Sequence, residues 1–439
     1  MALTSGKATV RDLRRINRAA VLQRLFQDGP LNRLVLAQLT GLSSGSITNV
    51  SAALLEEGLV SEAGQEESDG GRPRALLQVN PDFGAVVGVE LGETRVRVDA
   101  FDLGLQVVGA EDVPVHPQQH SPDVTLGHVV QVVDKLRQRL ADEGRRLLGI
   151  GMAVPGIVGR HDDQLWVHAP NIGWHDVALD PVAERLGLPL FADNGAKALG
   201  QAEMWLGAAK GCRHAAVLLW GTGVGAAIFT KGALYEGATS SAVEWGHTAI
   251  VAGGKPCRCG AAGCIEAYVG GRALLAEWYR TDPAATPLAD PDSEDWLDRF
   301  IGAGRSNVLS SASIDSVAVF FGVGVANLVN LFNPEKVVIG GWVGVKLAPV
   351  LLDRIRQVVD SQALDYTASR VGIEVGRFGA DAVALGASML VVDDILSSGG
   401  MIRAVAPMRR HRSQTGQTGR GTGALSRRSS VRKGRVGGL

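Results

Sequence analysis

Along residues 10–62 the apolar positions recur with a helical period. Leu13, Ile16, Ala20, Leu25 and Phe26 keep a 3.6-residue rhythm that Asp28-Gly29-Pro30 interrupts, which predicts short helices on either side of a break. From Pro81 the period shortens toward two. "GAVVGVEL" and "RVRVDAFDL" read as a strand hairpin, followed by a helix near 123–143, the strand "LLGIGMAV" and a second hairpin, "AAVLLWGTGVGAAIFT". A long helix near 315–332 and the strand "KVVIGG" complete the series. Two similar hairpin openings in a mixed α/β order indicate a structural duplication. After Asp394 there are ten Lys or Arg and no acidic residue, with Gly and Ser between them. Residues 395–439 are therefore expected to form a disordered basic tail.

Composition narrows the class without naming it. A chain of 439 residues with 46% apolar content supports two or three ordinary globular domains. The formal net charge of −1 gives no global attraction to nucleic acid, so any DNA contact must come from a local basic surface. No apolar run reaches the ~20 residues of a membrane span, and the first residues lack the apolar core of a signal peptide. The expectation is a cytoplasmic protein with no membrane partner. Three of the four cysteines fall within 257–264, which suits metal ligation better than a disulfide framework. Cys212 reads as a plain buried thiol.

"LNRLVLAQLTGLSSGSITNVSAALLEEGLVSEAG" has the spacing of a helix-turn-helix: Ala37 at a close helix crossing, Gly41 for the turn, Ile47 and Val50 facing inward. The continuation through "SDGGRPRALLQV" reads as a hairpin with a glycine-rich tip bearing Arg72 and Arg74, a wing. On this reading Ser44, Ser46, Thr48 and Asn49 are available to base edges, and the two wing arginines to phosphate or the minor groove.

His247 stands ten residues before Cys257, with Cys259 and Cys264 beyond it. One imidazole and three thiolates make a closed tetrahedral set, the usual chemistry of structural Zn2+. Glu244-Trp245-Gly246-His247 and Cys257 through Glu266 carry E-x-G-H and C-x-C-G-x-x-G-C-x-E patterns, and through them the chain resembles the ROK family of repressors and sugar kinases. The resemblance runs from about Leu13 to Met389, and the N-terminal part is similar to the winged helix of the repressor branch. It implies an α/β fold: a winged helix-turn-helix over 10–80, then a sugar-kinase-like domain over 81–394 built of two actin-like, ribonuclease H-like lobes. The small lobe is expected at about 81–195 plus 372–394, and the large lobe at about 196–371.

Two departures separate the chain from the kinases it resembles. Their first phosphate loop reads D-x-G-G-T-K, whereas this chain reads Glu90-Leu91-Gly92-Glu93-Thr94-Arg95, here taken as an ordinary turn. Their base loop reads E-N-D-A-N, and here it is Asp193-Asn194-Gly195-Ala196-Lys197, so a glycine stands where the general base belongs. Losing a base removes about 10²–10⁴-fold in rate. The positions that the resemblance assigns to sugar contact largely persist: Gly156, Asn171, Asn194, Glu244, His247 and Glu266. The resulting expectation is no enzyme, but a sugar-responsive regulator, a repressor, that binds palindromic operator DNA as a homodimer or tetramer with a monosaccharide effector in its cleft. The alternative is an active ATP-dependent sugar kinase with a DNA-binding appendage.

Overall fold

The N-terminal rhythm becomes three helices and a small sheet. This computed structural model describes residues 9–66, 73–115, 121–161, 164–281, 295–306, 308–379 and 381–404. Helix α1 (Val10–Asp28) opens on a capping box between Thr9 and Asp12 and ends at Gly29. β1 (Leu31–Asn32), α2 (Arg33–Thr40) and α3 (Ser44–Glu56) follow, then β2 (Val60–Glu66) and β3 (Arg74–Val79), in an antiparallel sheet of order β1-β3-β2. Asn32 caps α2, Gly41 ends it in the left-handed region at φ 69°, and Ser43 caps α3. Ile47 and Val50 are buried, as the spacing predicts.

The first lobe is a mixed sheet. Its elements are β4 (Ala85–Leu91), β5 (Arg95–Asp102), β6 (Val107–Pro114), α4 (Pro122–Asp142), β7 (Leu147–Val154), β8 (Ile157–His161), β9 (Gln164–Ala169), β10 (Trp174–Ala178), α5 (Asp180–Leu186) and β11 (Leu190–Asn194). Five of the strands run in the order β11-β7-β4-β5-β6, and β8, β9 and β10 form a separate antiparallel sheet. Helix α6 (Gly195–Trp205) leads to the second lobe: β12 (Ala215–Trp220), β13 (Val224–Thr230), β14 (Ala233–Leu234), α7 (Glu266–Val269), α8 (Gly271–Thr281), α9 (Asp295–Ser306), α10 (Val308–Phe332), β15 (Lys336–Gly340), α11 (Trp342–Gln362), α12 (Asp365–Ala368) and β16 (Gly372–Val375). Its sheet has the order β14-β13-β12-β15-β16, and α13 (Ala382–Ser397) then returns to the first lobe.

Each lobe opens on an antiparallel hairpin, β4–β5 and β12–β13, and each adds a parallel strand, β7 and β15. This is the duplication expected from the sequence. The stretch Ala312–Phe332 is long and apolar enough to cross a membrane, contrary to the sequence expectation that no such run exists, but Phe321, Val325 and Leu328 place it in the core of the second lobe.

Two boundaries shift from those expected. Residues 372–375 belong to the second lobe, because β16 pairs in parallel with β15 from Lys336↔Gly372 to Ile339↔Val375. Nor does the tail begin at 395: α13 continues to Ser397 because Ile395 and Leu396 are buried, and Gly399 and Gly400 close it with positive φ. The Gly399 carbonyl accepts the Arg18 Nε proton at 2.7 Å. Residues 405–439 and Arg72 lie outside the described residues.

Helix α13 joins the parts. Twelve of its sixteen residues are buried, so it is apolar on nearly every face and sits inside the protein. Val391, Val392, Ile395 and Leu396 share one apolar core with Val21, Leu22 and Leu25 of α1 and with Ile47 and Leu54 of α3. The three-helix unit is thus held on the first lobe by a continuous core in which each fully buried side chain is worth about 1.5–3 kcal/mol. At the other end of α1, Phe26 meets Trp205 of α6 edge to face at 5.8 Å, and Lys210 donates to the Gln27 carbonyl.

Candidate effector and metal site

Asn194 lies at the junction of β11 and α6. Its Oδ1 accepts from the Ala196 amide at 2.8 Å, capping α6, and its Nδ2 donates to the Gly156 carbonyl at 2.8 Å. The fold therefore brings Gly156 and Asn194 together, with part of the asparagine amide used in building the loop. Gly195 follows as the first residue of α6 and is buried. Asp193, two positions before it, is already engaged: its Oδ1 accepts from the Asn194 amide at 2.8 Å and faces Lys197 Nζ at 3.4 Å. Burial pushes its carboxyl above the ordinary range, against the pull of Lys197.

Lys197 went unnoticed in the sequence. It is buried, stands four residues after Asp193, and donates to the Ser240 carbonyl at 2.5 Å. The i,i+4 spacing of opposite charges was the available signal.

Glu244 and His247 flank a short 3-10 turn at 245–247. Glu244 is exposed, yet the surrounding protein removes part of its hydration and pushes the carboxyl up, while His247 and Lys197 pull it down. Glu266 opens α7, is buried, and accepts from the Val224 amide at 3.2 Å. Asn171 stands in an exposed 3-10 turn at 170–172. The polyol-matching groups thus come from both lobes, with His247, Lys197 and Glu266 near enough to act on the Glu244 carboxyl.

The four expected metal ligands converge. The Sγ atoms of Cys257, Cys259 and Cys264 and a ring nitrogen of His247 all lie within 4.8 Å of one another. Cys259 and Cys264 sulfurs are 3.8 Å apart, and Cys257 Sγ is 3.7 Å from His247 Nδ1. Sulfurs on a tetrahedral ion with bonds of about 2.3 Å stand about 3.8 Å apart, so the set fits a metal ion. Burial, with the neighbouring sulfurs, pushes the Cys264 thiol up to about 12, a cost that a bound cation offsets. His247 directs Nδ1 at this cluster. Gly260 and Gly263 adopt positive φ in the loop that carries the cysteines.

Glu93 proved more than a turn residue. It is 8% exposed, and Arg258 grips it with two hydrogen bonds of 2.8 Å while Arg272 Nε stands 3.3 Å away. Arg258, between two metal ligands, was not singled out in the sequence. A cavity of about 380 Å³ lies away from all of these residues, lined by Gln27, Gln201, Trp205, Phe229 and Leu234 among others. Its lining holds two glutamine amides but no charged side chain, so the cluster around Asn194, Glu244 and Glu266 remains the candidate site.

On the N-terminal unit, Ser44, Thr48 and Asn49 are exposed along α3 and Ser46 is half-buried. Ser46 Oγ lies 2.9 Å from Ser43 Oγ, and the Thr48 hydroxyl donates to the Ser44 carbonyl, so those two groups are partly engaged. Arg74 begins β3 and is exposed.

Residues 86–394 match the family model described as "ROK family". The chain belongs to the ROK family. It is 30% identical over 403 residues to the xylose repressor of Caldicellulosiruptor bescii, covering 88% of this chain and 97% of the repressor. It is 34% identical over 316 residues to a glucokinase of Halalkalibacterium halodurans, covering 70% of this chain and 94% of the kinase. A solved ROK family transcriptional regulator, a homologue of the E. coli MLC protein, superposes with a TM-score of 0.73 at 26% identity, over 88% of this chain and 97% of that one. The repressor similarity covers the larger share of the chain.

Proposed function

We propose that this ROK protein is a sugar-responsive transcriptional regulator, a repressor, whose cleft binds a carbohydrate and carries out no phosphoryl transfer. The observation that carries this reading is Gly195 in the first turn of α6, where the resemblance to the kinases places the general base. Similarity to a xylose repressor over 88% of the chain supports the same reading. Operator DNA would meet α3 through Ser44, Ser46, Thr48 and Asn49, with Arg72 and Arg74 on the wing. Gly156, Asn171, Asn194, Glu244, His247 and Glu266 would pair the hydroxyls of a monosaccharide, each of which must find a partner when it leaves water. A homodimer or tetramer would present two reading heads to a palindrome, in the cytoplasm.

Zn2+ would sit on His247, Cys257, Cys259 and Cys264 in a structural role, fixing the orientation of His247 so that its second nitrogen faces the sugar. Sugar regulates only to the extent that it favours one lobe arrangement over the other. Because α13 and α6 carry the N-terminal unit on the lobes, a change in lobe closure would move the reading head with it.

Glu244→Ala and Glu266→Ala should each weaken sugar binding by about 1–3 kcal/mol, the scale for stranding a buried hydroxyl partner. Calorimetry checks this, and unchanged affinity in both variants would place the effector elsewhere. Gly195→Asp should fold, since an added Cβ meets Leu219 and Val383 at ordinary contact distances of 3.4 and 3.7 Å. It should still consume no ATP in a coupled assay. Robust turnover by the native chain would favour the kinase alternative.

A further inference from the structure

Glu93 belongs to the turn between β4 and β5 of the first lobe, whereas both arginines that hold it belong to the second. Arg258 lies in the cysteine loop and Arg272 in the first turn of α8. Arg258 also approaches Glu266 Oε1 at 3.8 Å. Two carboxylates and two guanidiniums thus form a neutral cluster across the cleft. The space beside it, bounded by Thr94, Thr222, Arg272, Trp296 and Trp342 among others, amounts to about 20 Å³, hardly more than one water molecule requires.

We propose that Glu93 is an interlobe latch: its buried carboxylate, gripped by Arg258 and Arg272, holds this end of the cleft shut and fills the place an anionic ligand would otherwise take. Only the carboxylate is buried, so losing an arginine leaves Glu93 short of a partner away from water, a costlier loss than breaking a surface bridge. Arg258 reaches three groups at once. It is fixed between Cys257 and Cys259, bonded to Glu93, and close to Glu266, so the metal loop, the effector site and the opposite lobe converge on one guanidinium. Loss of Glu93 takes one negative charge from this group of two guanidiniums and two carboxylates and leaves it net positive, a site that small anions would favour.

The latch itself depends only on contacts between the lobes. Its consequence for DNA rests on the regulator reading. Small-angle X-ray scattering on the full chain, without DNA or sugar, separates the two. Glu93→Gln and Arg272→Gln should each enlarge the radius of gyration, and the double variant should enlarge it no further than Glu93→Gln does. Asp298→Asn, which removes the surface pair with Lys346 inside the second lobe, serves as control and should leave the profile unchanged. Inorganic phosphate should raise the melting temperature of Glu93→Gln and not that of the native chain. Profiles identical across the series, or equal phosphate response in native and variant protein, would overturn the proposal. Should Glu93→Gln fail to fold, Arg272→Gln decides alone, because its side chain is 45% exposed and its loss leaves the core intact. Opening of the lobes with no change in DNA affinity would uphold the latch and count against the regulator reading instead.

Discussion

Replacing Cys264 by serine should empty the metal site and destabilise the protein by about 3–5 kcal/mol, the range in which loss of a metal or a buried network stands out from ordinary substitutions. Cys264 is fully buried, its sulfur lies 3.8 Å from that of Cys259, and its backbone bridges to Ala249 beside the 3-10 turn that bears His247. Serine offers a weaker ligand, and three donors hold the ion less firmly than four. The Pro256–Ala262 bridge and the hydrogen bond from the Lys255 amide to the Tyr268 hydroxyl should preserve part of the loop, so unfolding should remain cooperative at a lower temperature. Metal analysis should find about one zinc per native chain and almost none in the variant. A native protein free of metal, melting at the same temperature as the variant, would contradict this.

The second large effect is expected at Gly151. On β7 this glycine pairs in register with Gly88 on β4, and together they form the smooth patch on which α13 rests. A Cβ at Gly151 would stand 1.7 Å from the Ala387 carbonyl oxygen, and one at Gly88 1.9 Å from that of Ala384. Both obstacles are helix backbone, which no rotamer change can relieve. Gly151→Ala should therefore push α13 off the sheet at a cost of about 3 kcal/mol or more, at the upper end of overpacking effects. Because α13 shares its core with α1 and α3, the N-terminal unit should loosen with it. Gly127→Ala in α4 is the matched control: nothing lies within 4 Å of an added Cβ, so it should stabilise by up to ~1 kcal/mol through helix propensity. Urea unfolding of the two variants checks the sign in each case, and equal stability would show that α13 tolerates displacement.

These expectations also mark what the sequence conceals. The metal loop was legible because its chemistry is compressed into a few neighbouring residues. So were the helices on either side of Gly41 and the inward positions of Ile47 and Val50, which local sterics decide. Strand pairing at residues 372–375 was not legible, since "GIEV" is short and its partner β15 lies across two intervening helices. Helix α13 carries no amphipathic signal because it is buried on almost all sides, so its role in joining the N-terminal unit to the lobes was invisible. Glu93 reads as part of an ordinary turn, because its partners at 258 and 272 are far along the chain and only the folded lobes bring them near. Lys197 was passed over for a similar reason: an isolated lysine in a helix is ordinarily solvated, and here the Ser240 carbonyl and Asp193 hold it inside.

The account turns on whether a sugar in the cleft alters DNA binding. The most direct measurement is fluorescence anisotropy of the full-length protein on DNA fragments from beside its own gene, titrated with and without a panel of monosaccharides. The expected result is sequence-selective binding whose affinity changes about 5–150-fold with one sugar of the panel, the usual span of allosteric coupling. Glu266→Ala should reduce that change. Binding that shows no preference among fragments, or that no sugar alters, would contradict it.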